Sequence, residues 1–125
     1  MRRLCETIPV LLVEAENDFR EASATLLRDD GHPVFEFASP TQLVELPPLQ
    51  STAVVIAGYP AVDDASLSFV DEFHGRHPAV PIILLTPYGM RPAAISVARR
   101  RAFVYVRHRP VEYDDLHAAI HTVFT

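Results

Sequence analysis

Three side chains able to do chemistry close apolar runs in this chain. Glu14 follows Pro9-Val10-Leu11-Leu12-Val13, Thr86 follows Ile82-Ile83-Leu84-Leu85, and Arg109 follows the run that opens at Phe103. A carboxylate can hold a cation, a hydroxyl can donate to an anion, and a guanidinium can neutralise one through a planar fork. A fourth run, Val54-Val55-Ile56-Ala57, ends at Gly58, which brings no side chain at all. Asp63 and Asp64 lie several residues into the following loop and read as turn and helix-capping residues. Gly58, Gly75 and Gly89 are isolated, so no glycine-rich phosphate loop is present. Among the histidines, His117 and His121 are four apart on a predicted helix, but no third ligand is in view and no zinc site is expected.

Composition bounds what those side chains serve. The 125 residues suffice for one domain, and 49% apolar with 22% charged residues is ordinary for a globular protein. A formal net charge of −5 argues against direct nucleic-acid binding through bulk electrostatics. The one cysteine, Cys5, allows no internal disulfide and suits a reducing cytoplasm, the expected location. Met1-Arg2-Arg3 is basic, but Glu6 and Pro9 interrupt any signal-peptide apolar core. No apolar run approaches the ~18 residues of a membrane span, so no membrane association is expected.

The elements that must position these residues alternate regularly. Strands are predicted at 9–13, 34–38, 53–57, 80–85 and 103–106. Helices are predicted at about 18–30, from Ser39 to the stop at Pro47-Pro48, and at 66–77, 93–101 and 111–124. Phe19, Ala22, Leu26 and Leu27 form the expected inner stripe of the first helix, with Gly31 at its C-cap. Ser39 is the expected N-cap of the second, with Pro40 at its first position and Gln42 completing a capping box. Leu67, Val70, Phe73 and His74 are expected inside on the third, and Leu116, Ala119, Ile120 and Val123 on the fifth. Such alternation means βαβ units, a parallel sheet and helices on both faces. The site then lies at the carboxyl ends of the strands, at Glu14, Gly58, Thr86 and 107–110.

Leu11-Leu12-Val13-Glu14-Ala15-Glu16-Asn17-Asp18-Phe19-Arg20, Ile83-Leu84-Leu85-Thr86 and Arg107-His108-Arg109-Pro110 carry a family resemblance. The chain resembles the receiver domain of two-component response regulators, which implies a flavodoxin-like (βα)5 fold: a doubly wound, five-stranded parallel sheet. The spacing from Gly58 to Val70 matches the receiver loop and helix without a gap, and Gly58 falls on the phosphoacceptor aspartate. In receivers, two acidic residues and that aspartate hold Mg²⁺ while a lysine before a proline neutralises the phosphoryl group. By that resemblance Glu14 keeps one carboxylate, Ala15 replaces the second, and Arg109, before Pro110, replaces the lysine. Glu16 sits one residue later and could reach inward. Glu14 remains a weak candidate Mg²⁺ ligand, and no cofactor is expected. Arg109 either pairs with Glu14 across the emptied pocket or is a solvated arginine. Thr86 keeps the hydroxyl, but the matching fifth-strand position is Val106, with Tyr105 one residue away on the opposite parity.

The resemblance also implies a docking face of fourth helix, fifth strand and fifth helix. Arg99, Arg100, Arg101, Tyr105 and Arg107 with Glu112, Asp114 and Asp115 supply opposite charges there for a homodimer about a two-fold axis, or else a solvated charged surface. The reading these features favour is an atypical receiver, not an enzyme, acting in signal transduction or transcriptional regulation by phosphorylation-independent contact with a protein partner or an output domain. Two alternatives are a phosphorelay receiver modified at a non-standard carboxylate and a small-ligand or nucleotide sensor using the vacated pocket. The chain ends at Thr125, just after the fifth helix, which suits either a stand-alone protein or an excised domain.

Overall fold

Short apolar runs become the strands: β1 (Val10–Val13), β2 (Val34–Phe37), β3 (Val54–Gly58), β4 (Ile82–Thr86) and β5 (Val104–His108). Helices α1 (Asn17–Asp29), α2 (Pro40–Val44) and α3 (Ser68–Arg76) lie between them. This computed structural model describes residues 8–44, 53–58, 68–86, 104–108 and 118–120. The strands are all parallel, in the order β2-β1-β3-β4-β5. That is the flavodoxin-like order expected from the sequence. The fourth predicted helix and most of the fifth lie outside the described residues, apart from a helical segment at 118–120.

The sheet divides the core in two because successive strand side chains point to opposite faces. Leu11, Val13, Val55, Ala57, Ile82 and Leu84 pack with Leu43 of α2 and Phe69, Val70 and Phe73 of α3. Val10, Leu12, Val54, Ile56, Ile83 and Leu85 pack on the other face with Ala24 and Leu27 of α1 and with Ala119 and Ile120. Every residue of β1 and β3 is buried, as strands covered on both faces require.

The inner face of α1 is rotated from the predicted stripe. Leu27 is buried as expected, but Phe19 is 37% exposed, Leu26 48% exposed, and Ala22 is on the surface. The buried residues are instead Ala24 and Leu27, with half-buried Arg20 on the same arc at helical spacing. Arg20 has only 15% of its side chain exposed because its guanidinium finds partners inside, described below. A charged residue thus takes an inner position that apolar periodicity assigns to phenylalanine.

The ends of the helices follow local chemistry. Gly31 adopts φ 95, donates to the Arg28 carbonyl at 3.0 Å, and precedes His32, whose amide donates to the Leu27 carbonyl at 3.1 Å. These two bonds form a Schellman motif, which places glycine where a side chain would be strained. At α2 the expected capping box is displaced: Gln42 Oε1 accepts from the Ala38 amide at 3.2 Å, one residue before Ser39. In α3, Val70 and Phe73 are buried as expected, joined by Phe69, while His74 is half-buried and Leu67 lies outside the described residues. The helix ends at Arg76, and His77 beyond it is buried, its ring 4.6 Å from that of Phe73. The His77 carbonyl then accepts from the Val80 amide at 3.1 Å, so Val80 belongs to a turn and β4 starts at Ile82. At its far end β5 runs past Val106 to include Arg107 and His108.

Two substitutions test this packing. Phe73→Ala, at a fully buried aromatic, is expected to lose about 3–5 kcal/mol of stability in urea denaturation. Gly31→Ala, at the positive φ, is expected to lose about 1–2 kcal/mol in the same assay.

Candidate functional site

The strand order reverses between β1 and β3, and the crevice of an open parallel sheet lies at that point, beyond the carboxyl ends. Val13 pairs with Ala57, so Glu14 and Gly58 come one step further along, side by side. Gly58 pairs in turn with Leu85, and Thr86 with His108. Topology alone therefore brings Glu14, Gly58 and Thr86 to one end of three adjacent strands.

Glu14 is the best-defined residue there. It is 1% exposed, and a carboxylate so buried is costly unless hydrogen-bonded. Its Oε2 accepts from the Glu16 amide at 3.1 Å, a turn closed by its own side chain. Its amide donates to the Phe37 carbonyl at 2.9 Å, tying it to the end of β2. Its carbonyl accepts from Arg20 Nη1 at 2.8 Å. Ala15 and Glu16 are both exposed. Glu16 is the N-cap of α1 and makes no side-chain cap bond; its carbonyl accepts the Arg20 amide at 2.9 Å. The inward reach considered for Glu16 is therefore not taken. Its amide is engaged by Glu14, and its carboxylate stays at the positive end of the α1 dipole, where negative charge is favoured.

Gly58 is buried within the end of β3 and contributes main chain only. Among the described residues no three His, Cys, Asp or Glu side chains are grouped to hold a metal ion. Thr86 closes β4, as expected. Tyr105 pairs with Ile83 and Val106 with Leu84, so the two β5 residues occupy opposite parities of the ladder. Arg109, Pro110, Arg99, Arg100, Arg101, Glu112, Asp114, Asp115, Asp63, Asp64, His117 and His121 lie outside the described residues, and with them the Arg109–Glu14 pair.

Arg20 closes the Leu11–Arg20 stretch, and residue type alone assigns it no task. Besides the Glu14 carbonyl, it binds Asn17 Oδ1 through Nη2 at 2.7 Å and approaches Glu36 Oε1 through Nε at 3.4 Å. Glu36 also receives Arg28 Nη1 at 3.1 Å. A planar fork with donors on several sides suits this role, and an ammonium would not. His32 was also missed. It is buried with Nδ1 2.9 Å from the Ile8 carbonyl, an acceptor only, so Nδ1 carries a proton. The available signals are the three-residue step from Asn17 to Arg20 and a histidine directly after the capping glycine. Arg20→Ala is expected to lose about 1.5–3 kcal/mol, with Arg20→Lys recovering only part of it, as read by urea denaturation.

No family model matches the chain. The putative response regulator NtrX-like of Rickettsia bellii (strain RML369-C) is 25% identical over 111 residues, covering 87% of this chain and 23% of that relative. The chain thus spans less than a quarter of the curated relative it matches. Among solved structures, a response regulator receiver domain protein from Clostridium thermocellum aligns with a TM-score of 0.76 at 26% identity, covering 93% of each chain. Full-length FixJ from B. japonicum shares the fold, with a TM-score of 0.72 at 21% identity over 93% of this chain and 57% of that one. With its strand order, its crevice at β1 and β3, and these likenesses, the chain is homologous to the receiver domains of response regulators.

Proposed function

We propose that this domain is an atypical receiver acting in signal transduction or transcriptional regulation through phosphorylation-independent protein contact. The observation that carries the reading is Gly58, buried at the end of β3 with main chain only, beside Glu14. Phosphoryl transfer to a protein needs an oxygen nucleophile, and a glycine offers none. Mg²⁺ needs several hard oxygen ligands in near-octahedral array. Glu14 is buried with Oε2 engaged, Ala15 has no donor side chain, and Glu16 is exposed. These residues do not fit a Mg²⁺ site, and no step of the function is routed through one. The domain is not an enzyme in this reading.

Output then depends on surfaces. A partner or an output domain of a longer regulator is supported by the greater length of the curated relative and of full-length FixJ. β5 is an edge strand, so Tyr105 and Arg107 sit at a margin of the sheet, as the proposed docking and dimerisation face requires.

Amide NMR spectra of the chain alone, with Mg²⁺, and with Mg²⁺ plus beryllofluoride test the reading. Resonances of Glu14, Gly58 and Thr86 are expected to stay in place. Saturable shifts at those residues, or a mass gain from a small phosphodonor that Asp63→Asn or Asp64→Asn abolishes, would establish a phosphorylation switch instead.

A further inference from the structure

The strand β2 lies at the margin of the sheet opposite β5, with β1 along one side of it. Val10 and Glu14 donate their amides to the carbonyls of Pro33 and Phe37, and Val10 pairs with Val34. In a parallel ladder that parity turns the main-chain groups of 33, 35 and 37 towards β1 and those of Val34 and Glu36 towards the edge that no other described strand covers. Between these two, Phe35 is 54% exposed. A strand edge carrying a large exposed apolar side chain is a template for another strand.

Arg28, in the last turn of α1, lies across this edge. Its Nη2 donates to the Val34 carbonyl at 2.8 Å, an outward group, and its Nη1 binds Glu36 Oε2 at 3.1 Å. The guanidinium occupies the acceptor that a pairing strand would need first. We propose that the β2 edge is an association surface for a second copy of this chain, latched shut by Arg28.

Self-complementarity carries the choice of a second copy. Two β2 strands set antiparallel about a two-fold axis through Phe35 place Val34 of one copy opposite Glu36 of the other. Their outward N–H and C=O groups then exchange hydrogen bonds reciprocally, and every outward group of the two residues is matched. The two Phe35 side chains meet as a non-hydrogen-bonded pair, the closest cross-strand position and the one that favours aromatic pairs. Val34 of each copy lies opposite Glu36 of the other, so Arg28 must leave the Val34 carbonyl before the strands can pair. A four-residue strand gives a weak, concentration-dependent dimer.

Sedimentation velocity of the full chain over a wide concentration range tests this. Arg28→Ala and Arg28→Gln are expected to tighten dimerisation about tenfold or more relative to the unaltered chain. Adding Phe35→Asp to either should return it to the unaltered value, and Val34 and Glu36 amides should gain hydrogen-exchange protection only in the variants that dimerise. Natively folded Arg28 variants that associate no more tightly than the unaltered chain overturn the proposal. So does an association that survives Phe35→Asp, which would place the contact on another face. Where the Arg28 variants lose their circular dichroism signature, the unaltered chain decides: association that strengthens with concentration and is abolished by Phe35→Asp, at an exposed side chain, bears the proposal out, and association indifferent to Phe35→Asp overturns it.

Discussion

The strand β1 has hydrogen-bonded neighbours on both sides and apolar packing on both faces, and that fourfold enclosure is the constraint from which the rest of this structure follows. A strand so enclosed tolerates no polar side chain along its length, so the first polar residue of the run must appear where the enclosure ends. That residue is Glu14. Its position is therefore fixed by where the apolar run stops, and its carboxylate is fixed by the Glu16 amide. Arg20 then holds the Glu14 carbonyl and reaches the Glu36 carboxylate, so the turn after β1, the first turn of α1 and the strand β2 share one guanidinium.

This arrangement separates scaffold from chemistry. The parallel register places Gly58 beside Glu14 whatever side chain the position carries, because the register is set by Val54, Val55, Ile56 and Ala57 further back along β3. The crevice at the switch point is built by the order and register of the strands, and Gly58 enters it as main chain. A buried carboxylate stands there with the Glu16 amide as a main-chain donor, in a setting where an unpaired charge would be costly.

The sheet was legible in the sequence because strands buried on both faces leave continuous apolar runs, and each of the five described strands lies at or within two residues of its expected position. Gly31 was legible because positive φ selects glycine. The orientation of α1 was not. Periodicity counts Phe19 and Leu26 as inward and Arg20 as outward, whereas the choice between them depends on partners at Glu14 and Glu36, one of them on another strand. The same applies to His77, which is polar by type but takes its place by stacking on Phe73. The strand ends that carry Glu14, Gly58 and Thr86 were predictable from topology, but the outward course of Glu16 was not, since it follows from a hydrogen bond to its own amide.

The placement of β1 also orders the events of synthesis. Its partner on one side, β2, leaves the ribosome with it as part of one βαβ-forming segment, while β3 emerges only after α2 and the residues beyond. Domains grow from the N-terminus at a rate slow compared with helix or strand formation. For that interval the most apolar hydrogen-bonding edge of the nascent chain, Val10 to Val13, stands open on the β3 side. The tether between β1 and β3 is long, and its closure entropy must be met before their pairing can reward it. Until β3 is translated that edge is open to misassociation, and the arrival of Val54 to Ala57 closes it and passes the open edge to β3, which waits for β4.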